Sequence, residues 1–137
     1  MPGRFPVFTD NHVQEAVVKG LRRHGWDVVR AIDVFPEKTV DEVLFEYAAR
    51  EGRVFVTNDE PIHKIAASWL EEGRSFPGLV FWYQEDYDSM TTGDILRSLD
   101  GLAEKEDPFS YPIQHIRPPS RAEARERFKR SRRRKNR

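Results

Sequence analysis

Two apolar runs in this chain stop on aspartate. "FPVFTD" ends on Asp10 and "RVFVTND" ends on Asp59, while a third acid, Asp41, opens the segment "DEVLFEYAA". Two carboxylates that meet at about 4 Å in an effective dielectric near 20 repel by roughly 4 kcal/mol. A fold keeps such a pair only with protons, Lys/Arg partners or a divalent cation to offset the charge. Neither "FTDNHV" nor "TNDEPI" contains a lysine or an arginine. Oxygen ligands in a shallow, partly open cluster suit Mg²⁺ or Mn²⁺, which retain waters and bind substrate phosphate. A cation so held can activate water and stabilise the leaving oxygen in phosphodiester cleavage.

Each of these acids also has a purely structural reading. Asp59 is a natural N-cap for a helix starting near Pro61, and Asp10 could cap one at Asn11. Asp41 at a helix start favours the helix dipole by a few tenths of a kcal/mol. Asn11 and Asn58 flank the strand-end acids, where they can orient a ligand or phosphate or serve as caps. His12 and His63 fall at the same edge, as metal ligands, as acids or as solvent-facing side chains. Glu85 and Asp86 follow the last apolar run and could complete the acidic set. Receiver domains and haloacid-type phosphatases also gather acids, but no D-x-D motif stands at the first strand.

The elements that must position these residues alternate in type. Strands are expected at "FPVFT" (5–9), "WDVVRAI" (26–32), "RVFVT" (53–57) and "GLVFWYQ" (78–84), with a short edge strand at "YPIQHI". Between them, Val13, Ala16, Val17 and Leu21 recur at helical spacing, with Gly25 closing that helix. Val40, Val43, Leu44, Tyr47 and Ala48 form a second stripe, opened by a capping box of Thr39 and Glu42. Ile62, Ile65, Ala66, Trp69 and Leu70 form a third. Thr91 or Thr92 opens a fourth helix using Ile95, Leu96, Leu99 and Leu102. This alternation predicts an α/β fold with a central, mainly parallel sheet of four to five strands and helices on both faces. All parallel strands point one way, so Asp10 and Asp59 should emerge at one edge, where such folds place their sites. Spacing alone leaves open whether Asp41 joins them, because a loop (33–39) precedes its helix.

The 137 residues contain no cysteine, which excludes disulfides, thiolate zinc sites and cysteine nucleophiles. No apolar run reaches the roughly 18 residues of a membrane span, and "MPGRFPVFTD" lacks the pattern of a signal peptide. A cytoplasmic location and no membrane partner are expected. The net charge of zero hides a split: residues 117–137 carry eleven Lys/Arg against Glu123 and Glu126. The tail is therefore +9 and the body −9, an asymmetry that points to a polyanion or to the protein's own acidic face. Residues 1–106 are expected to form the domain and 107–137 a C-terminal extension, helical after Ser120 or disordered.

The stretches "FTDNHVQEAVVKGLRRHGWDVV", "VDEVLFEYAAREGRVFVTND" and "FPGLVFWYQ" resemble a compact PIN-like family. That family is encoded in bacterial toxin–antitoxin pairs and related to the VapC-type ribonucleases. The resemblance runs over about residues 4–104 and is most specific from Asp41 to Asp59. It implies a PIN-like three-layer sandwich, and it implies that the N-terminus of the second main helix reaches the strand-end acids. Asp10, Asp41 and Asp59 then match the family's acids, which bind Mg²⁺ or Mn²⁺ and cleave single-stranded RNA through metal-activated water. Where the family often has further acids, this chain has Asn11 and Pro61, leaving one metal or two open. The implied partners are RNA and a cognate antitoxin; a homodimer is an open alternative to a monomer.

The expected function is thus a metal-dependent ribonuclease, with Asp10, Asp41 and Asp59 as catalytic and metal-binding residues. Asn11, Asn58 and the tail residues Arg132, Arg133 and Arg134 are expected to contact the strand. The tail "RFKRSRRRKNR" suits phosphate binding, or could dock across the acids as an internal competitor. Two rivals are a PIN-like binding module without catalysis and a phosphatase for small substrates.

Overall fold

The structure, a computed structural model, describes residues 3–118. Its strands are β1 (Val7–Thr9), β2 (Val28–Arg30), β3 (Val54–Thr57), β4 (Leu79–Phe81) and β5 (Ile113–His115). They form one sheet in the order β2-β1-β3-β4-β5, and every pairing is parallel. The helices are α1 (Glu15–Arg23), α2 (Ala31–Val34), α3 (Asp41–Arg50), α4 (Glu60–Glu71), α5 (Gln84–Tyr87) and α6 (Thr92–Ala103).

The inner strands β1, β3 and β4 are buried on both faces, so alternate residues feed two separate cores. Val7, Val54, Val56, Val80 and Trp82 face one core, filled by Val17, Val18 and Leu21 of α1 and Ile95, Leu99 and Leu102 of α6. Phe8, Phe55, Leu79 and Phe81 face the other, filled by Leu44, Phe45 and Ala48 of α3 and Ile62 and Ala66 of α4. Burying each Val, Leu, Ile or Phe among these contributes about 1.5–3 kcal/mol. This is the expected parallel α/β sandwich. Gly20 sits inside α1, where glycine is a poor helix former. A Cβ there would lie 2.9 Å from Leu96 Cδ1, so the missing side chain lets α1 and α6 approach.

Several local expectations are corrected. The run 26–32 is not one strand: pairing stops at Arg30, and α2 begins at Ala31. The backbone N–H of Arg30 donates to Asp33 Oδ2 at 3.3 Å, and this local bond turns the chain. The capping box at Thr39 and Glu42 does not form, because the Thr39 hydroxyl donates to the Pro36 carbonyl at 2.7 Å. The helix instead opens at Asp41, after Val40, without a side-chain cap. Its buried stripe is consequently Leu44, Phe45 and Ala48, while Val40 and Val43 are exposed. In α1, which opens at Glu15, Ala16 is exposed and Val18 takes its place in the core. Strand β4 stops at Phe81, so Trp82 and Tyr83 follow it, the first buried and the second exposed.

Thr91 is the residue that opens α6. Its hydroxyl accepts from the Asp94 N–H at 3.1 Å, and Asp94 Oδ2 accepts from the Thr91 N–H at 2.9 Å. The division expected at residue 106 falls before β5, which hydrogen-bonds to β4 at the edge of the sheet. Among the described residues no helix is long and apolar enough to cross a membrane.

Candidate metal centre

The register of the two central strands builds the site. Thr9 pairs with Val56, so the next residues along, Asp10 and Thr57, leave the sheet side by side. The Thr57 hydroxyl donates to Asp10 Oδ2 at 2.8 Å and accepts from the Asp59 N–H at 3.0 Å. One hydroxyl thereby locks both strand ends together. On its other oxygen, Asp10 accepts from the His12 N–H at 3.2 Å, a tight turn that carries the imidazole back over the acids. His12 Nε2 lies 3.8 Å from Asp59 Oδ1. Asp10, His12 and Asp59 each offer one ligand atom, and these atoms all lie within 4.8 Å of one another.

Asp41, the first residue of α3, comes close enough to interact with Asp59 and His12. Partial burial raises its pKa above the ordinary carboxylate value, and the charges of Asp59 and Glu42 raise it further. Asp10 is only 4% exposed. Its pKa is pushed from 3.8 to about 6, chiefly by burial, against the lowering effect of the Thr57 hydrogen bond, with Asp59 adding repulsion. The three acids therefore gather around Asp59. Among the described residues no lysine or arginine pairs with any of them.

The capping explanations fail at the two strand ends. Asp59 occupies the N-cap position of α4, yet its side chain makes no capping hydrogen bond. Asp10 cannot cap α1, which begins at Glu15 after Gln14. Both carboxylates are spent on each other's neighbourhood and not on helix ends. A buried carboxylate with no lysine or arginine partner among the described residues, beside a second carboxylate and an imidazole, is a donor set that fits a divalent cation.

A family model described as a PIN-like domain matches residues 6–74, about half of the chain. The chain belongs to the PIN-like domain family. No curated protein and no solved structure matches it at a significant level. The matched segment runs from β1 to the end of α4, so it contains Asp10, Asp41 and Asp59. The five-stranded parallel sheet with helices on both faces is consistent with the PIN-like α/β fold, and the PIN-like superfamily is of nuclease type.

The other expected residues fall elsewhere in this PIN-like domain. Asn11 is exposed and donates to the Glu37 carbonyl at 3.5 Å. Asn58 is buried, its amide donating to Gln84 Oε1, and its own Oδ1 has no hydrogen-bond partner among the described residues. His63 is outside the group formed by Asp10, His12 and Asp59 and packs on Phe81 and His115. Glu85 and Asp86 lie on α5, outside the group formed by Asp10, His12 and Asp59. Arg132, Arg133 and Arg134 lie outside the described residues.

Two contributors escaped the sequence reading. Thr57 bridges the acids, and its only signal was a hydroxyl residue at the end of an apolar strand. Tyr87, from α5, accepts the Gln14 N–H at 3.1 Å and so pins the segment that carries His12. Its phenol pKa is raised by burial and by the nearby Asp10 charge. Nothing local in the sequence marks that contact, which spans 73 positions.

Proposed function

We propose that this PIN-like domain is a metal-dependent ribonuclease that hydrolyses phosphodiesters of single-stranded RNA. The observation that carries this reading is the meeting of buried Asp10 with Asp59 and His12, with no lysine or arginine among the described residues paired to them. Asp10, His12 and Asp59, with Asp41 beside them, would hold Mg²⁺ or Mn²⁺. Such a cation supplies Lewis-acid stabilisation of a phosphoryl oxygen and lowers the pKa of water. Asp10 and Asp59 keep their orientation through the Thr57 hydroxyl. Asp41, half-buried and within the field of Asp59, would add negative charge that attracts the cation. The resemblance to PIN-like proteins encoded in toxin–antitoxin pairs supports a role as the toxin of such a pair, restrained by an antitoxin.

The test is cleavage of a single-stranded RNA with Mn²⁺ and with EDTA. Cleavage is expected with the metal and none with the chelator, while a generic phosphomonoester should turn over poorly. RNA cleavage that persists in EDTA would remove the proposal, and efficient phosphomonoester turnover would move it to the phosphatase class.

Thr57→Val is the sharpest probe of the scaffold, because it deletes one hydroxyl at nearly constant volume. Supporting hydrogen bonds to metal ligands are typically worth ten- to a hundredfold in affinity or activity. Mn²⁺ binding by calorimetry is expected to weaken by about that factor, with the fold kept as judged by circular dichroism. An unchanged affinity would mean that the hydroxyl serves only the sheet.

A second reading is favoured by one observation. Asn11 and Pro61 stand where the family often has further acids, and Asn11 is turned to the Glu37 carbonyl. A binding module without catalysis would bind RNA in a salt-sensitive way and show no Mn²⁺ binding at millimolar metal.

A further inference from the structure

At the same edge of the sheet, beyond the acids, four rings gather. His63, one turn into α4, packs on Phe81 at the end of β4 with ring centroids 4.7 Å apart. It also meets His115 at the end of β5, at 5.2 Å. Tyr83 sets its ring edge-on to Phe81 at 5.2 Å and nearly parallel to His115, at 5.9 Å and 20°. Phe81 is buried, whereas Tyr83 and His115 are exposed. Strands β4 and β5 follow β3 in the sheet order. The rings therefore lie one to two inter-strand spacings, about 5–10 Å, from the strand that leads into Asp59.

An exposed stacked pair of flat rings is a surface on which a nucleobase can continue the stack, whatever its identity, since every base has a π-face. The charge nearby suits the same ligand. Arg117 follows His115 by two residues and is the first of the eleven basic residues of 117–137. The basic segment of the sequence thus begins two residues after one of the rings. Burial first, and then the charges of His63 and Arg117, hold the His115 imidazole below its ordinary pKa, which keeps it a neutral ring at neutral pH. The tail by itself has little aromatic content beyond Phe128, so base stacking must come from the folded body.

We propose that Tyr83 and His115 form a stacking platform for an unpaired base of the RNA strand whose phosphate is presented to Asp10 and Asp59. The identity of the strand rests on the ribonuclease reading. The platform would explain how a site with an acidic body grips a single-stranded substrate in register: the tail attracts phosphates without preference, and the rings fix one base.

The experiment is equilibrium binding of a fluorescein-labelled single-stranded RNA to the full chain in EDTA, read by anisotropy. Tyr83→Ala and His115→Ala are each expected to weaken binding about tenfold, and Tyr83→Phe to retain it. A scan of abasic positions should find one whose lost base weakens the wild-type protein by a similar factor and leaves Tyr83→Ala unaffected. Wild-type affinity in Tyr83→Ala overturns the platform and leaves the ribonuclease reading intact, as that reading is judged by Mn²⁺-dependent cleavage. A loss in Tyr83→Ala that is the same on intact and abasic strands also overturns it, by identifying a packing defect. A wild-type chain that binds no RNA at low salt overturns it as well.

Discussion

Asp10→Asn is expected to abolish Mn²⁺-dependent RNA cleavage, by at least about a hundredfold, while making the metal-free protein more stable. The activity loss follows from removing a charged ligand at the centre of the site, which should cost no less than losing a supporting hydrogen bond. The stability gain follows from burial. An acid whose pKa is 3.8 in the unfolded chain and about 6 in the fold resists ionisation only when folded. The fold is therefore penalised as pH rises from about 4 through 6, and the full penalty, up to about 3 kcal/mol, persists above that window. Asparagine preserves an acceptor for the Thr57 hydroxyl and carries no charge. Urea unfolding without metal should show wild-type stability falling between pH 4 and 6, with a clearly smaller fall in the Asp10→Asn variant, where Asp41 still resists ionisation. A wild-type protein indifferent to pH there, or an active Asp10→Asn enzyme, would sink the assigned role of Asp10.

The second large effect is stabilisation by the metal. A ligand bound only by the native state adds about 2.7 kcal/mol at a hundred times its Kd. In a domain of this size that raises Tm by roughly 10 °C. Mn²⁺ should produce this shift in the wild-type chain, and the shift should vanish in Asp10→Asn and in Asp59→Asn. Protons compete for the same carboxylate, so the Mn²⁺ effect should fade as pH drops below about 6, where Asp10 becomes protonated. His12 adds an imidazole nitrogen to oxygen donors, which tilts the site from Mg²⁺ toward transition metals. His12→Gln should therefore lower the Mn²⁺ shift more than the Mg²⁺ shift. Scanning fluorimetry against metal concentration measures all of these. A Tm unmoved by millimolar Mn²⁺ would favour the binding module without catalysis.

Much of the architecture could be read from the chain because burial leaves a local trace. Val54, Phe55 and Val56 alternate between two cores, and Ile62 and Ala66 recur four residues apart on the buried side of α4. Those periods are properties of neighbouring residues, and they suffice to predict a parallel sheet covered on both sides. Misreadings came where a short local bond outcompeted the period. Thr39 turned to Pro36 and did not cap, and Asp33 closed a turn in what looked like a continuing strand.

The amino-acid order by itself determined that Asp10 and Asp59 leave the sheet at one edge, because parallel strands share a direction. Only the tertiary structure decided what they meet there. The step of one residue between β1 and β3 sets Thr57 beside Asp10. The turn after β1 swings His12 to Asp59, and the path through α2 delivers Asp41 to the same acid. The rings of His63, Tyr83 and His115 likewise come from three separate elements. Such meetings depend on strand register and on the course of the connections, which are fixed by packing over the whole domain and leave no periodic mark in any one segment.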